Sequence, residues 1–376
     1  MNVLVAMDSL KGSISSKEAN LAIKQGLQNA GSFSVRTIPI ADGGEGTVEA
    51  LVEATNGQYF NKMVTGPLGD PVKARYGILG NEHVAVIEIA EACGLPLLVN
   101  SEKNPLGATS YGVGELILDA IENGCNQFIV GLGGSATTDA GLGMLQALGY
   151  QFFNDDGGLV NEHGGAALTT IHHIDDSNVP DQVRECHFQV ACDVTNPLYG
   201  ENGAAYIFGP QKGANENEMI QLDDGLRHFA SVVSQQFDCP LQMIEGAGAA
   251  GGLGAAFSSF LKGKLVPGVT LILQTIGLEE TLREVDFVIT GEGKLDHQTS
   301  MGKAPAGIAA IAKSHNIPVI TLAGDISSAL PQSGMNAFFT IVPGPMTLEQ
   351  AMNTEIARKN LERTAEQIGR TVRMFS

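Results

Sequence analysis

Basic side chains are scarce in this sequence: 22 Lys and Arg stand against 41 Asp and Glu, which gives a net charge of −19. Binding along a nucleic-acid backbone requires clustered Lys and Arg that neutralise phosphates, so the charge argues against a nucleic-acid partner. It argues equally against an anionic membrane surface. A small anionic ligand can still bind where local lysines and helix N-termini outweigh the general field.

Cysteines are also few. The five are odd in number, scattered and without CxxC spacing, which favours free thiols in a reducing compartment over a disulfide framework. Every apolar stretch is interrupted by Gly or charge well before the length needed to cross a membrane. The first residues, MNVLVAMDSLKGS, are typical of a strand and loop and not of a signal peptide. We therefore expect a cytoplasmic protein with no membrane partner.

Several nucleotide and metal motifs are missing. The sequence contains no GxxxxGK[ST], which excludes an ordinary P-loop, and no GxGxxG after the first strand, which argues against a dinucleotide-binding unit. HExxH is absent as well. The adjacent pair His172 and His173 lies in a predicted loop, where histidines serve more often as surface groups than as ligands.

The length of 376 residues favours two domains. Apolar runs of strand length alternate with helical patterns at both ends of the chain. This order predicts the α/β class, with one parallel-sheet domain built from residues 1–65 and 281–376 and a second α/β domain, residues 66–280, inserted into it.

The stretch from Asp286 to Gly307 is the most informative. A four-residue strand, 287–290, is predicted to end at the glycine turn 291–293, and a helix follows from about Pro305. Two lysines and an aspartate lie between them. A strand edge, a glycine turn, ammonium groups, a carboxylate and a helix N-terminus suit a metal-bound polyphosphate. The alternative is a solvated loop with ordinary surface charges.

Four aspartates follow predicted strands beside Gly, Ser or Pro turns: Asp8, Asp42, Asp193 and Asp296. Any one of them could simply cap a helix or stabilise a turn. Together with lysines in matching loops, at the edge where open α/β sheets bind ligands, they match the needs of phosphoryl transfer. We expect these groups to meet in one crevice.

A glycine-rich loop, 131–141, joins another predicted strand to a helix. Its backbone amides and the hydroxyls of Ser135, Thr137 and Thr138 would favour phosphate oxygens. Tight packing between strand and helix is the alternative, and it explains the glycines but not the three hydroxyls.

Nine sequence blocks can be set side by side: MDSLKGS (7–13), IADGGEGT (40–47), VTGPLGDPV (64–72), NPLGATSYGVGEL (104–116), GLGGSATTDAGLGMLQALG (131–149), VACDVTNPL (190–198), FGPQKGA (208–214), GAGAAGGLGAA (246–256) and ITGEGKLDHQTSMGKAP (289–305). Their order and spacing closely resemble the glycerate kinase type-1 family over essentially the whole chain. The resemblance implies a flavodoxin-like domain, a smaller domain of unusual topology and a cleft between them. It also implies ATP with Mg²⁺ as the phosphoryl donor and D-glycerate as the acceptor, with 2-phosphoglycerate as the usual product and 3-phosphoglycerate the product of other glycerate kinases.

The residues themselves suggest the roles. Asp8 or Asp193 would orient the hydroxyl as a base, Asp42 and Asp296 would lie near the metal, and lysines would neutralise phosphate or carboxylate. The predicted catalytic residues are Asp8, Lys11, Asp193, Lys294 and Asp296; the predicted binding residues are Ser9, Asp42, Gly43, Gly44, Gly133, Gly134, Ser135, Thr137, Gly291, Glu292, Gly293 and Lys303.

Two alternatives stay open at this point. One is a non-catalytic protein that binds a small sugar acid, and the other is a kinase of a related hydroxy acid. A pure binder has no need of a metal site beside a triphosphate site, so the Lys and Asp cluster favours a kinase. The sequence leaves the phosphorylated hydroxyl open, and it does not distinguish a monomer from a homodimer.

Overall fold

The computed structural model describes residues 1–80, 83–297, 299, 303–327 and 334–375. Its elements, in chain order, are β1 (Asn2–Met7), α1 (Ser16–Ala30), β2 (Ser34–Thr37), α2 (Thr47–Thr55), β3 (Gln58–Thr65), β4 (Pro71–Ile78), β5 (Val84–Glu88), α3 (Ala90–Cys93), α4 (Tyr111–Glu122), β6 (Gln127–Gly131), α5 (Leu142–Ala147), β7 (Gln151–Phe153), β8 (His173–Asp175), α6 (Asp181–Arg184), β9 (His187–Ala191), α7 (Ala204–Phe208), α8 (Glu216–Phe237), α9 (Leu253–Ser259), β10 (Lys264–Val266), α10 (Gly268–Thr275), α11 (Leu278–Leu282), β11 (Phe287–Leu295), α12 (Ala304–Ser314), β12 (Val319–Ile326), β13 (Ala337–Thr340), α13 (Leu348–Met352) and α14 (Thr354–Val372).

The chain divides into two compact units. Unit 1 comprises residues 1–42, 49–56 and 269–376, and unit 2 comprises residues 43–48 and 57–268. The sequence placed the boundaries at 65/66 and 280/281 instead. Strand β3 accounts for the first difference, because it pairs with β4 in the sheet of unit 2.

Unit 1 is built on a five-stranded parallel sheet in the order β13-β12-β11-β1-β2. Counted within this unit, the order is 2-1-3-4-5, that of flavodoxin-like folds. Successive residues of β1 point to opposite faces: Val3 and Val5 pack with α1 and α14, whereas Leu4 and Ala6 pack with α10 to α12. The predicted α/β class is confirmed.

Unit 2 contains a six-stranded mixed sheet in the order β10-β9-β6-β5-β4-β3 and a two-stranded sheet, β7-β8. The first four strands of the larger sheet are parallel, and β4 and β3 are antiparallel additions. A single apolar cluster forms the core of the unit, with Phe128, Phe229 and Phe257 among its largest buried side chains. No helix within the described residues has the length and apolar character needed to cross a membrane.

Three local predictions need correction. Strand β11 does not end at Gly291 but continues to Leu295, and Lys294 and Leu295 still pair with β12. The apolar pattern of residues 35–40 predicts a strand over that range, but β2 ends at Thr37 because side chains take the next backbone groups: Asn20 donates to the Ile38 carbonyl and Ser16 accepts from the Ile40 amide. The sequence of residues 348–373 predicts one C-terminal helix, but the structure has two, since the side chain of Asn353 caps the start of α14.

Candidate active site

The carboxyl edge of the unit 1 sheet gathers most of the predicted catalytic residues. Strand β1 lies between β2 and β11, which is where the strand order reverses, and ligands of such sheets bind at that position. Asp8 and Ser9 follow β1 directly. The Asp8 amide donates to the carbonyl of Gly291 on β11 at 2.9 Å, which fixes the end of one strand against the other.

Asp8 is a buried carboxyl, only 4% exposed. Its pKa is raised to about 7, chiefly by burial, then by the charge of Asp42, with a weaker contribution from Glu292. The Ser9 amide donates to Asp8 Oδ1 at 2.6 Å and opposes this shift, as does Lys11. A carboxyl with a pKa near neutrality, next to other charges, is suited to accept a proton from a substrate hydroxyl.

Lys11 and Asp42 form an ion pair, with Nζ 2.9 Å from Oδ2. The loop after β1 presents the lysine because Leu10 and Ile14 bond to each other across a tight turn, in which Gly12 adopts a φ of +75°. The lysine side chain is 62% exposed and the aspartate 21%. An exposed pair contributes little to stability, so both groups can exchange partners when a ligand binds.

Glu292 is the second buried carboxylate of this edge. Its oxygens accept from Lys303 Nζ at 3.0 Å and from the Thr299 hydroxyl at 2.7 Å. Thr299 also accepts from the Asp296 amide, so the segment after β11 is tied back onto the strand. The glycine before Glu292 is explained by packing and not by a turn: a Cβ on Gly291 would overlap the carbonyl oxygen of Leu322 on β12.

The remaining predicted residues of this stretch are more exposed. Lys294 pairs with Asp325 of β12 at 3.3 Å, and both side chains are more than half exposed. Asp296 is half-buried just beyond the end of β11, and Gly293 is half-buried within the strand. Lys294 therefore lies on the same strand as Glu292 but outside its buried hydrogen-bond network.

The carboxyl edge of the unit 2 sheet holds a second group of predicted site residues. Strands β5, β6 and β9 end side by side at Glu88, Gly131 and Ala191, which are aligned in register. Gly43 packs over this edge, where a Cβ would lie 2.9 Å from that of Ala191. A Cβ on Gly133 would lie 3.1 Å from the Cα of Gly44. These glycines allow two backbones to approach closely.

Asp193 follows β9 at the same edge. Its Oδ1 accepts from the amide of Gly268 at 2.9 Å, while the residue as a whole is exposed. Asp193 therefore caps the start of α10, which is the ordinary structural role of an aspartate after a strand. Its candidacy as a base remains a prediction.

The hydroxyls of the 131–141 loop point into the protein. Ser135 is 4% exposed, and Thr137 and Thr138 are fully buried. Ser135 Oγ lies 3.2 Å from Thr137 Oγ1 and accepts from the Thr137 amide. In this structure the hydroxyls shape the loop from within, whereas Gly133 and Gly134 lie at its exposed surface.

Three charged residues of this region are not among the site residues predicted from the sequence. Glu88 ends β5 and accepts from the Val48 amide at 2.7 Å, and burial raises its pKa to about 7. Asp139 is fully buried and accepts four hydrogen bonds, from Ser110 and from the amides of Gly141 and Gly143. Lys212 is buried beneath the loop. Of these three, only Glu88 could have been predicted from the sequence, because it ends an apolar strand much as Asp8 follows one.

The carboxylates of the candidate site are the possible ligands of a metal ion. Within the described parts of the chain, no three His, Cys, Asp or Glu side chains are grouped as a protein-only metal cage. Mg²⁺ does not need one, since it is commonly held by one or two carboxylates together with phosphates and water. The pKa of Asp8 is raised by burial first and then by the neighbouring Asp42, and two carboxylates so close together are a donor set that suits a divalent cation.

Comparisons with known proteins agree with this geometry. The glycerate kinase family model matches residues 3–373. A glycerate kinase of Bacillus subtilis (strain 168) is 44% identical over 100% of this chain and 98% of its own, and a glycerate 2-kinase of Escherichia coli (strain K12) is 42% identical over 99% and 98%. A crystal structure of "putative glycerate kinase 2 from Salmonella typhimurium LT2" superposes with a TM-score of 0.91 at 42% identity, covering 100% of this chain and 98% of that one.

The match spans both units and all nine sequence blocks. The predicted resemblance is therefore confirmed, and the transferase class predicted from the carboxylates and lysines is confirmed with it. The chain belongs to the glycerate kinase family and is an ATP-dependent kinase of that family.

Proposed function

We propose that this kinase transfers the γ-phosphoryl group of ATP to the 2-hydroxyl of D-glycerate, giving 2-phosphoglycerate and ADP. The observation that carries the proposal is the group of charges at the β1–β11 edge. Lys11, Asp42 and Glu292 act on the buried Asp8 carboxyl, whose pKa is raised, and Lys303 pairs with Glu292. The choice of the 2-hydroxyl is supported by the relative named glycerate 2-kinase.

In the proposed reaction the substrate hydroxyl oxygen attacks the γ-phosphorus in line with the leaving group. The new O–P bond forms as the bond from the γ-phosphorus to the β,γ-bridging oxygen breaks, and ADP departs. The hydroxyl proton passes to the Asp8 carboxylate. Asp8 is favoured over Asp193 because it is buried and near-neutral in pKa, whereas Asp193 is exposed and accepts from the Gly268 amide.

The lysines would balance the negative charge that accumulates. Lys11 and Lys303 are each held within about 3 Å of a carboxylate (2.9 and 3.0 Å), ready to turn to a phosphate or to the glycerate carboxylate. Mg²⁺, held near Asp42 with Asp296 as a second candidate ligand, would supply Lewis-acid neutralisation of the triphosphate when bound. Lys294, near the end of β11, would also help to balance the negative charge of the phosphates.

The deciding experiment is product analysis. Purified protein is incubated with MgATP and D-glycerate, ADP release is followed, and the phosphorylated acid is identified by ³¹P–¹H correlation NMR. Coupling of phosphorus to the single C2 proton is expected. Coupling to the C3 methylene would overturn the regiochemistry alone, whereas ADP release with tartronate but none with D-glycerate would overturn the substrate.

A further inference from the structure

Lys212 is a buried ammonium to which no role has yet been assigned. It ends a short 3-10 helix, Pro210–Lys212, and only 2% of it is exposed. Its Nζ donates to the Thr137 carbonyl at 2.6 Å and lies 3.4 Å from Ser135 Oγ. Across the described residues it forms no ion pair with a carboxylate. A buried ammonium whose hydrogen bonds go only to neutral oxygens is costly, and Asp139 is the one carboxylate that acts on it from a greater distance among the described residues.

Two carbonyls of the 131–141 loop, which lies against Lys212, accept hydrogen bonds from protein donors. Thr137 O accepts from Lys212, and Gly134 O accepts from the Leu95 amide at 2.8 Å. The amides of Gly133 and Gly134, by contrast, donate to no acceptor in the part of the protein that the structure describes, and both residues are exposed. Gly134 has a φ of +76°. Two successive amides without a protein acceptor, in an exposed loop that includes a residue of positive φ, can form an anion-binding concavity.

We propose that Lys212 is a positioning residue for an anion bound at the Gly133 and Gly134 amides. Its ammonium anchors the Thr137 carbonyl and places a positive charge directly beneath the loop. The anion is a carboxylate or a phosphate, which in this enzyme means the carboxylate of D-glycerate or a phosphate of ATP. The inference rests on the proposed function for the identity of these two ligands.

A neutral hydrogen-bond donor would anchor the carbonyl equally well, so the charge itself must matter. The groups that face Lys212 are the Cys93 thiol of α3 and Asp139, while Lys103 reaches only the neighbouring Gln211 carbonyl. The pKa of Lys212 is lowered to about 8, chiefly by burial, and the Asp139 carboxylate acts in the opposite direction. Burial also raises the pKa of Cys93, which keeps it a neutral thiol. A bound anion would favour the charged ammonium, so binding of the anion and protonation of Lys212 are coupled.

The test uses Lys212→Met, which removes the charge at similar length, and Lys212→Arg, which retains it. KM values for D-glycerate and for ATP are measured separately, each with the other substrate saturating. We expect the KM of the ligand bound at the loop to rise about tenfold or more in Lys212→Met, as for loss of a charge-assisted interaction, with kcat less affected and recovery in Lys212→Arg. Lys103→Met, which removes a half-exposed lysine from the neighbouring segment, is the matched control.

The same coupling can be measured without any substitution, in case Lys212→Met does not fold. In the unsubstituted protein the KM of that ligand should rise several-fold between pH 7.5 and 9.5, as Lys212 loses its proton in the free enzyme. A KM that stays within twofold over this range, or in a folded Lys212→Met, would refute the role of Lys212. Absence of ADP release by the unsubstituted protein with D-glycerate would instead refute the proposed function.

Discussion

At the scale of single residues, the protein concentrates opposite demands on Asp8. The carboxyl is buried beside two other carboxylates, which disfavours its ionisation, yet the base that we propose it to be must be ionised to accept a proton. A pKa of about 7 leaves a substantial ionised fraction at neutral pH.

Replacing Asp8 with Asn should lower kcat by about 10² to 10⁴, the usual contribution of a positioned general base. In steady-state ADP-release assays, kcat/KM of the unsubstituted protein should rise with pH through about 7, as Asp8 ionises, and this limb should vanish in Asp8→Asn. Asp224→Asn, an exposed position on α8, is the control and should behave like the parent. A kcat within threefold of the parent would remove Asp8 from the catalytic residues.

The same substitution should stabilise the fold above neutral pH. Unfolded Asp8 loses its proton near its ordinary value of 3.8, whereas the folded protein retains it up to about pH 7. The folded state therefore binds more protons between these values, and its stability falls as the pH rises through that window. Asn cannot ionise, so Asp8→Asn escapes this loss.

Urea unfolding of both proteins at pH 4 and pH 8, without Mg²⁺, measures the difference. The advantage of Asp8→Asn should be small at pH 4 and reach between about 1 and 4 kcal/mol at pH 8. An advantage of equal size at both pH values would show that burial does not shift the ionisation of Asp8.

The sequence predicts a site residue where a charged side chain directly follows a run of strand-forming residues. Asp8, Asp42 and Asp296 are visible because each follows an apolar run beside a turn. Lys212 lies in a glycine-rich segment that looks like any exposed turn, and its burial depends on packing against residue 137, which is distant in the sequence. Periodicity carries no information about such contacts.

At the scale of secondary structure, the clearest feature is the packing of α1 against α14. Gly26 faces the backbone of α14, where an added Cβ would overlap the carbonyl oxygen of Glu362, and Gly369 makes the reverse approach to Ala30. Apolar residues of both helices share one cluster with strand β1. Small residues at the crossing allow the two helices to approach closely.

Gly26→Ala should therefore destabilise the protein by roughly 2 kcal/mol, although alanine is the better helix former, because a rigid backbone atom blocks the new methyl group. The free energy of unfolding in urea is the measurement. Gly344→Ala is the matched control, since nothing lies within 4 Å of its added Cβ, and it should change stability by less than about 0.5 kcal/mol. Equal effects at both sites would mean that the helices separate without cost.

Helix α1 shows how much local sequence can determine. Its sequence predicts a start near Ser15 and Ser16, with Glu18 close to the capping-box position, and Ser15 and Glu18 do form that capping box. Strand β11 shows the limit. Its glycines predict a turn, yet they permit close pairing with β12, and only the neighbouring strand, absent from any local window, decides between the two.

At the scale of the whole molecule, the net charge of −19 opposes the binding of two anionic substrates. Interactions across the surface are screened within about 10 Å at 0.1 M salt but reach about 30 Å at 0.01 M. Contacts at 3 Å, such as those available to Lys303, are screened much less. Moderate salt should therefore weaken the long-range repulsion between the negatively charged protein and its substrates more than the short-range attraction of the lysines.

The KM for D-glycerate should fall about twofold when KCl is raised from about 10 to 100 mM at saturating MgATP. Choline chloride in place of KCl controls for a specific effect of potassium. A KM that rises steadily with either salt would show that local cations, and not the overall charge, dominate the approach of the substrate.

The α/β class and the joining of both chain ends into one sheet were predictable, because strands and helices alternate at both ends of the sequence. The mixed sheet of unit 2 was not, since antiparallel β3 and β4 beside parallel β5 depend on pairings that hydrophobic patterns do not specify. Family resemblance, and not periodicity, supplied the flavodoxin-like order of unit 1.

The interior position of β1 in the sheet has a consequence for synthesis. Val3 pairs with Val35 of β2 on one side and with Phe287 of β11 on the other, and the hydroxyl of Thr290 bonds to the carbonyl of Ala6, 284 residues earlier. At roughly 5 to 20 residues per second, the ribosome needs about 15 to 60 s to deliver β11 after β1. Through that interval the nascent β1 can pair with β2 only, so one edge of an apolar strand stays open until β11 emerges.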